Sequence, residues 1–275
     1  MTFLVTGATG KVGRRVVDDL LRAGQRVRAL TRDPARADLP EPVEVVRGDL
    51  ADPRTLGPAF DGVVGAHLLT AGGDDYATLR TGPELVELAQ KAGVRRVTLL
   101  WNGQVGPVEK AFAASDLEWT ALQPVDFMSN TLTWASAIKE RGEVREPFAD
   151  VPGGVVDERD VAAVAAAVLA RGGHAGRTYV LTGPQVLSQR GRLAAIAEAI
   201  GRPLRFVELT EEQARKRWRQ AGYGEELIEL LVSWQGNPPP EAVSISPAVR
   251  EITGREPRSF AEWAADHADA FRPDA

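Results

Sequence analysis

Three glycines near the start of the chain have the spacing of a phosphate-binding turn. The segment MTFLVTGATGKVGR places Gly7, Gly10 and Gly13 in a Gly-x-x-Gly-x-x-Gly pattern. Gly7 permits a tight turn, Gly10 lets the backbone approach a pyrophosphate, and Gly13 allows a helix to pack closely on a strand. Helix N-termini attract anions through their unpaired N–H groups and dipole. The pattern therefore predicts a dinucleotide site, with a purely structural glycine turn as the alternative.

The elements around these glycines support that prediction. Thr2 to Thr6 predict a short buried strand before the turn, and an amphipathic helix follows through Ala23. A strand, a glycine turn and a helix in this order are what a dinucleotide pyrophosphate requires.

The residue after the second predicted strand distinguishes the two nicotinamide dinucleotides. Arg26 to Leu30 predict that strand, and Arg32 follows it. An acidic residue here binds the ribose 2′-hydroxyl, whereas an arginine accommodates a 2′-phosphate, so Arg32 favours NADP(H). Asp33 is the alternative ribose ligand, although Asp-Pro more often opens a turn. Arg32 has its own alternative, a solvated charge in that turn.

Further cofactor contacts are expected where parallel strands end, since ligands of open α/β sheets bind there. A third strand, Val43 to Arg47, precedes Asp49 and Leu50, which we predict beside the adenine. Asp49 as a turn cap is the alternative. The fourth strand ends at Leu69 and leads into a turn of small residues from Thr70 to Gly73, which makes Leu69 and Thr70 candidates as well.

Strands and helices alternate through the first half of the chain, which predicts an α/β fold with a doubly wound parallel sheet. A fifth strand is expected at Arg95 to Leu100 and a sixth at Glu118 to Gln123. Helices are expected at 53–60, 83–92 and 107–114, and from the segment after the sixth strand to 139. We expect His67, inside the fourth strand, to be a packed core residue.

The pattern changes from Glu143 onward, where prolines and glycines predict an irregular crossover. We therefore expect a dinucleotide-binding domain over 1–150 and a smaller mixed α/β subdomain over 151–275, interleaved with the first. The second part should contain a helix over 157–169, a helix that Ser188 caps, helices near 210–221 and 224–234, and a closing helix over 259–270. Short strands are expected at 178–181 and 204–207.

The composition limits the function classes. The 275 residues carry a net charge of −5, which argues against nucleic-acid binding, and they include no cysteine for disulfides or thiolate chemistry. Three histidines without ligand-like spacing predict no metal site. With no signal-like start and no long apolar run, we expect a cytoplasmic protein that contacts no membrane. Its expected partner is a small-molecule substrate, and a homodimer is left open.

Motifs spread along the chain resemble those of a known family. They are LVTGATGKVG, VRALTRDP, VVRGDLADP, LEWTALQPVDFMSN, VVDERDVAAVAAAVL, YVLTGPQVLS and ITGREPRSFAEWAADH. On these motifs the chain resembles NmrA-like members of the atypical short-chain dehydrogenase/reductase superfamily, over nearly its whole length. The resemblance implies a Rossmann-type domain, a substrate cleft roofed by the C-terminal subdomain, and NADP(H) held by Gly7, Thr9, Gly10, Lys11, Val12 and Arg32.

The superfamily's usual acid is a tyrosine four residues ahead of a lysine, and this pair is missing. Its expected positions hold Trp101 and Val105, and neither side chain transfers a proton. The three tyrosines, Tyr76, Tyr179 and Tyr223, have no lysine four residues later. A conventional tyrosine-dependent carbonyl reductase is therefore not expected.

Other residues near the ends of the fifth and sixth strands are the catalytic candidates. Asp126 stands where the family more often has glycine, and burial would raise its pKa for acid or base work; a solvated or capping aspartate is the alternative. Asn102 could bond a substrate carbonyl, as could Gln104 and Asn130. Trp101 could form a flat apolar wall, with Phe127, Met128 and Trp134, although core packing explains such residues equally well.

Three functions remain open at this stage. The first is an NADPH-dependent reductase of an electrophilic substrate such as a quinone, an iminium ion or a conjugated dye, which needs no strong protein acid. The second is a catalytically silent NADP redox sensor that signals to a protein. The third is a non-redox isomerase or cyclase on the same fold.

Overall fold

A computed structural model describes residues 1–72, 77–103 and 105–273. The chain folds into two units. Unit 1 comprises Met1–Gln123, Glu158–Leu181 and Ala248–Arg255, and unit 2 comprises Pro124–Asp157, Thr182–Pro247 and Glu256–Ala275. This division differs from the boundary expected at residue 150, because the chain leaves unit 1 after the sixth strand of its sheet and later returns to add a helix and an edge strand.

Strands alternate with helices through unit 1 and are shorter in unit 2. In chain order the strands are β1 (Thr2–Thr6), β2 (Arg26–Thr31), β3 (Glu44–Arg47), β4 (Gly65–Leu69), β5 (Ala71–Gly72), β6 (Ala77–Thr78), β7 (Arg96–Leu100), β8 (Glu118–Pro124), β9 (Glu143–Pro147), β10 (Pro152–Gly154), β11 (Arg177–Leu181), β12 (Val186–Ser188) and β13 (Arg205–Leu209).

The α-helices follow the same order. They are α1 (Gly13–Arg22), α2 (Gly57–Phe60), α3 (Gly82–Lys91), α4 (Pro107–Ala113), α5 (Ala135–Arg141), α6 (Glu158–Arg171), α7 (Gln189–Ile200), α8 (Glu211–Gln220), α9 (Glu225–Gly236), α10 (Ala248–Thr253), α11 (Phe260–Asp266) and α12 (Ala268–Phe271). Short 3₁₀ turns lie at Pro34–Arg36, Pro53–Thr55, Met128–Trp134 and Pro240–Val243.

The sheet of unit 1 has seven strands in the order β11-β8-β7-β4-β1-β2-β3. β1 lies in its middle and pairs in parallel with β2 and β4, and the parallel pairing continues through β2 to β3 and through β7 to β8. The chain thus winds outward in both directions from β1. This confirms the predicted doubly wound α/β fold.

Buried aliphatic and aromatic residues explain why these elements form. β1 is apolar and inaccessible from Phe3 to Val5, and α1 buries Val16, Val17 and Leu20 on one face. A continuous core then joins β1 and β4 to the neighbouring helices through Leu4, Phe60, Leu68, Leu85, Leu99 and Phe112. Burial at about 25 cal/mol per Å² of apolar surface is the main stabilising contribution to such a core.

Unit 2 is mixed α/β and built on two strand pairs. β9 pairs in parallel with β13, and β10 pairs in antiparallel with β12. The helices α5, α7, α11 and α12 enclose a core that includes Met128, Ile196, Phe260, Trp263 and Phe271. α8 and α9 form a helical hairpin around a separate small cluster, Ala214, Trp218 and Ile228.

Side-chain caps fix several helix starts in unit 2. Ser188 accepts a hydrogen bond from Gly191 N and begins α7, which confirms the predicted cap. Thr210 and Gln213 form a reciprocal capping box at α8, and Ser259 does the same with Glu262 at α11.

Two predicted helices are broken by local chemistry. The helix expected over 53–60 is a 3₁₀ turn followed by the four-residue α2, because Pro58 lacks the N–H that a continuous helix needs. The helix expected after the sixth strand is 3₁₀ over Met128–Trp134 and becomes α-helical only in α5. There Thr133 donates to the Asn130 carbonyl, which competes with α-helical bonding.

Other differences come from pairing between distant segments. The turn expected from Thr70 to Gly73 contains β5, which pairs with β6; Gly73 lies outside the described residues. The irregular crossover expected after Glu143 contains β9 and β10, whose partners lie far along the chain. The closing helix is divided between α11 and α12 at His267, and α10 was not expected.

None of the helices in the described residues combines the length and the apolar composition that crossing a membrane requires.

His67 lies inside β4, and its imidazole is fully buried, as expected for a core residue. Its Nδ1 is 2.9 Å from Thr98 Oγ1, and burial lowers the pKa of His67 from 6.5 to about 4. Desolvation opposes the charged form, so this histidine stays neutral at physiological pH.

We predict that His67 makes the folded state less stable in acid. Between pH 6.5 and about 4 the unfolded chain binds a proton at this residue and the folded chain does not, so the free energy of unfolding falls as pH falls through this range. The loss should reach about 3 kcal/mol by pH 4. Urea unfolding at pH 7.5 and 4.5 should show a smaller decrease for His67→Asn than for the wild type. Equal decreases would contradict the assignment.

Candidate functional site

The turn between β1 and α1 is shaped by backbone contacts that leave no space for side chains. Gly7 has a φ of +61°, and a Cβ on Gly13 would lie 2.1 Å from the Gly7 carbonyl oxygen. Gly10 N donates to the same oxygen over 2.8 Å. These contacts confirm the tight turn at Gly7 and the close helix packing at Gly13.

The start of α1 is suited to an anion. Val12 occupies the N-cap position, no side chain of the described residues caps the helix there, and the first turn contains no acidic residue. Thr9, Gly10 and Lys11 are exposed beside it. The helix dipole and the uncapped N–H groups therefore fit a pyrophosphate, which is the part of a dinucleotide that this turn would hold.

The end of β4 is held against the glycine turn. Thr6 donates its hydroxyl to the His67 carbonyl over 3.0 Å and accepts a hydrogen bond from Leu69 N over 2.9 Å. The Leu69 side chain fills the space beside Gly7, where a Cβ would lie 2.7 Å from Leu69 Cδ1. The structure thus brings Leu69 next to the predicted phosphate turn.

A second group of predicted residues meets at the end of β7. Thr70 donates to the Leu100 carbonyl over 3.2 Å, and the next residue, Trp101, donates its backbone N–H to Leu122 over 3.0 Å. The indole Nε1 of Trp101 is buried and has no partner among the described residues. Asn102 is exposed and donates to Thr78 Oγ1 over 3.0 Å. Gln104 lies outside the described residues.

Arg32 and Asp33 follow β2, and the Asp33 carboxylate takes part in the turn after this strand. Arg32 is exposed immediately after the strand. The Asp33 carboxylate accepts a hydrogen bond from Ala35 N over 3.1 Å and caps the 3₁₀ turn Pro34–Arg36. Asp33 is therefore used in the turn that the Asp-Pro pair predicts, which weakens the alternative of a ribose ligand.

The two residues expected beside adenine have structural contacts of their own. Asp49 Oδ1 accepts from Ala51 N over 2.9 Å, as in the turn-cap alternative. Leu50 is 7% exposed and packs in the core of unit 1, and its carbonyl accepts from Thr81. An adenine contact at these positions stays a prediction.

Asp126 belongs to unit 2 and is engaged on both sides. Arg192 Nη1 donates to its Oδ2 over 2.7 Å, and Asn130 Nδ2 donates to its Oδ1 over 2.8 Å. As a carboxylate it accepts hydrogen bonds and donates none. Met128 and Trp134 are buried in the core of unit 2, as the core alternative expected, and Phe127 is half-buried.

Unit 2 contains a cavity of about 590 Å³, a volume suited to a small organic molecule. Its lining includes Trp134, Trp218, Tyr223, Trp234 and the Asp126–Arg192 pair. The sequence analysis missed Trp218, Trp234 and Arg192, which no local motif indicates, because α7, α8 and α9 bring them together only after folding. In residues 1–72, 77–103 and 105–273 no cluster of His, Asp or Glu has the arrangement of a metal site.

Comparison with protein-family models identifies residues 7–113 as an NAD(P)H-binding domain. A (4-alkanoyl-5-oxo-2,5-dihydrofuran-3-yl)methyl phosphate reductase of Streptomyces griseus is 39% identical over 98% of this chain and 99% of its own. An NAD(P)H azoreductase of Xenophilus azovorans is 36% identical over 98% of each chain.

Solved structures show the same fold. An NADPH-dependent quinone oxidoreductase of Escherichia coli in complex with NADPH superposes with a TM-score of 0.82 at 23% identity, covering 97% of this chain and 99% of that one. NmrA, a negative transcriptional regulator in complex with NADP, superposes with a TM-score of 0.74 at 19% identity, covering 96% and 94%.

We predict that Gly13→Ala damages the turn between β1 and α1. The new methyl group would meet the Gly7 carbonyl, so α1 must shift, at a cost of about 1–3 kcal/mol. Thermal unfolding and calorimetric NADPH titration should show lower stability and at least tenfold weaker binding. Gly57→Ala is the matched control, because Gly57 is exposed at a helix start with open space for a Cβ. Unchanged NADPH affinity in Gly13→Ala would contradict the cofactor site.

Proposed function

Because the chain belongs to the NmrA-like family of atypical short-chain dehydrogenase/reductases, a family of NAD(P)H-dependent reductases, we propose that it is an NADPH-dependent reductase of a small conjugated, electrophilic substrate. The observation that supports this most directly is the turn from Gly7 to Gly13. Gly13 avoids the Cβ that would collide with the Gly7 carbonyl, and the start of α1, which no side chain of the described residues caps, offers N–H donors to a pyrophosphate.

We assign the phosphorylated cofactor to the residues at the ends of β1 and β2. Thr9, Gly10, Lys11 and Val12 would hold the pyrophosphate, and Arg32 would pair with the 2′-phosphate. The turn contact of Asp33 supports this choice, since its carboxylate already accepts the N–H of Ala35. NADPH supplies a hydride when it is bound.

We further propose that the reaction needs no tyrosine–lysine pair. Trp101 occupies the expected position of the acid, and its indole N–H can donate a hydrogen bond but not a proton. Among the described tyrosines, Tyr179 lies in the edge strand β11 and contacts His174, while Tyr223 is exposed in unit 2. Trp101 and Asn102 would orient the acceptor, so that alignment provides the rate enhancement.

The named substrates of the relatives support an electrophilic acceptor. The Streptomyces griseus relative is named for an unsaturated 5-oxo-dihydrofuran, and the Xenophilus azovorans relative is named for azo reduction. Conjugated acceptors of this kind spread incoming negative charge over several atoms, which reduces the need for a strong acid beside one oxygen. A small organic substrate is therefore the proposed partner. The homodimer, the lack of nucleic-acid binding and the cytoplasmic location stay predictions.

Asp126 does not enter this proposal as an acid. Both of its carboxylate oxygens are occupied, by Arg192 and Asn130, so we assign it the role of holding Arg192 in place. A catalytic role for Asp126 stays a prediction from the sequence alone.

We predict that Arg32→Ala narrows the preference for NADPH over NADH. Loss of one charge-assisted phosphate contact should weaken NADPH binding about 10-fold or more and change NADH binding little. Arg26→Ala is the control, because Arg26 is an exposed arginine at the opposite end of the same strand. Calorimetric titration of both cofactors measures the ratio. A ratio that Arg32→Ala leaves unchanged would remove the 2′-phosphate assignment.

The proposed reaction is tested by NADPH oxidation with 1,4-naphthoquinone, an azo dye and a conjugated ketone. We expect turnover with at least one acceptor, and we expect Trp101→Phe to retain it because a phenyl ring keeps the flat apolar wall that orients the acceptor. Tight NADPH binding without turnover of any acceptor would contradict the reductase and favour the redox sensor. Loss of all turnover in a folded Trp101→Phe variant would contradict the proposed role of Trp101.

A further inference from the structure

The cavity of unit 2 has walls suited to a flat ring system. Of the six tryptophans in the chain, Trp134, Trp218 and Trp234 line it. Trp134 and Trp218 are 8% and 6% exposed, so packing holds their orientations. Rigid aromatic faces favour stacking against aromatic or conjugated ligands.

Arg192, in the polar wall of this cavity, has N–H donors without an acceptor. Asp126 accepts from Arg192 at one oxygen and from Asn130 at the other, so its charge is already paired. Within the described residues Arg192 donates from Nη1 alone, and its Nε has no acceptor. A guanidinium has five N–H donors, so Arg192 retains donor capacity.

The position of Arg192 is fixed by its surroundings. Its side chain is 12% exposed, and Asp126 holds it over 2.7 Å. A largely buried arginine that a carboxylate orients is pre-organised to receive an oxyanion.

The second charge pair of the cavity is Glu146 and Arg217. Burial raises the pKa of Glu146, while Arg217 and the Trp134 indole both donate to its carboxylate and oppose that rise. Arg217 also donates to the Arg145 carbonyl. Each carboxylate of the cavity is thus already paired with a guanidinium, whereas Arg192 retains donors that an anionic ligand can use.

We infer that this cavity binds a planar conjugated ligand bearing an oxyanion, a carboxylate or a phosphate monoester, and that Arg192 receives the oxyanion. The tryptophans contact the ring system, and Asp126 positions Arg192. The inference goes beyond the proposed function, because it concerns the ligand chemistry of unit 2 alone. Arg192 is then the residue that selects an anionic ligand for this cavity.

Binding without cofactor tests the site directly. Calorimetric titration with 2-naphthoate and with 2-naphthamide compares two ligands that differ in the anionic group alone. We expect at least tenfold tighter binding of 2-naphthoate, and Arg192→Gln should reduce this ratio to about threefold or less. 2-Naphthyl phosphate provides the second arm, and its affinity relative to 2-naphthoate identifies which oxyanion is preferred.

Arg190→Gln is the matched control. Arg190 lies on the same helix, α7, and also pairs with an aspartate, Asp150, over 2.8 Å, but it is half exposed and outside the cavity lining. This variant should keep the wild-type ratio. Equal binding of the two ligands to the wild type, no binding of either, or an unchanged ratio in Arg192→Gln would overturn the inference.

A second variant tests the positioning of Arg192. Asp126→Asn removes the carboxylate that orients the guanidinium, so we expect the ratio of 2-naphthoate to 2-naphthamide affinity to fall at least threefold below that of the wild type. This loss keeps the test decisive if Arg192→Gln does not fold, as judged by circular dichroism. An unchanged ratio in a folded Asp126→Asn variant would contradict the role of the Asp126–Arg192 pair.

The inference and the proposed function fail separately. Reduction of a quinone by a protein that shows no Arg192-dependent preference for 2-naphthoate would overturn the inference and leave the reductase standing. Arg192-dependent binding of 2-naphthoate without reduction of any quinone would overturn the reductase and leave the ligand site standing.

Discussion

The close approach of Gly13 to the Gly7 carbonyl is the constraint on which the cofactor site depends. It places the start of α1 directly against the end of β1, because no side chain stands between the two backbones. Among the residues that the structure describes, no side chain caps the helix terminus, and its first turn contains no acidic residue. Arg14 N donates to the Gly10 carbonyl, and the positive dipole end of the helix favours an anion, so the contact that packs the helix also shapes the turn that we assign to the pyrophosphate.

Hydroxyl groups at the strand ends connect this turn to the rest of the site in unit 1. Thr6 bridges the ends of β1 and β4, and Thr70 joins β4 to β7. Each bond satisfies a backbone group where regular sheet pairing ends, which a buried edge requires. Trp101 follows at the end of β7, at the position where we expect the superfamily's usual acid. In the reaction that we propose, Trp101 and Asn102 bind and orient the acceptor and do not deliver a proton.

Unit 2 supplies different chemistry. Its cavity combines aromatic walls with the Asp126–Arg192 pair, which joins the segment after β8 to α7. The guanidinium retains N–H donors without an acceptor, which fits the anionic ligand that we propose for this cavity. In that proposal Asp126 acts through its neighbour by orienting Arg192, and its role as an acid stays a prediction from the sequence.

The features that the sequence alone predicted correctly are those that depend on neighbouring residues. The glycine spacing, the buried strands, the Asp-Pro turn and the Ser188 cap each depend on a few consecutive residues, and they predicted the doubly wound sheet and the tight glycine turn. The strand pairs β9–β13 and β10–β12, the return of the chain to unit 1 and the partner of Asp126 were decided by tertiary structure. Arg192 lies 66 residues from Asp126 in sequence. Such contacts form only when distant segments fold together, and no local pattern encodes them.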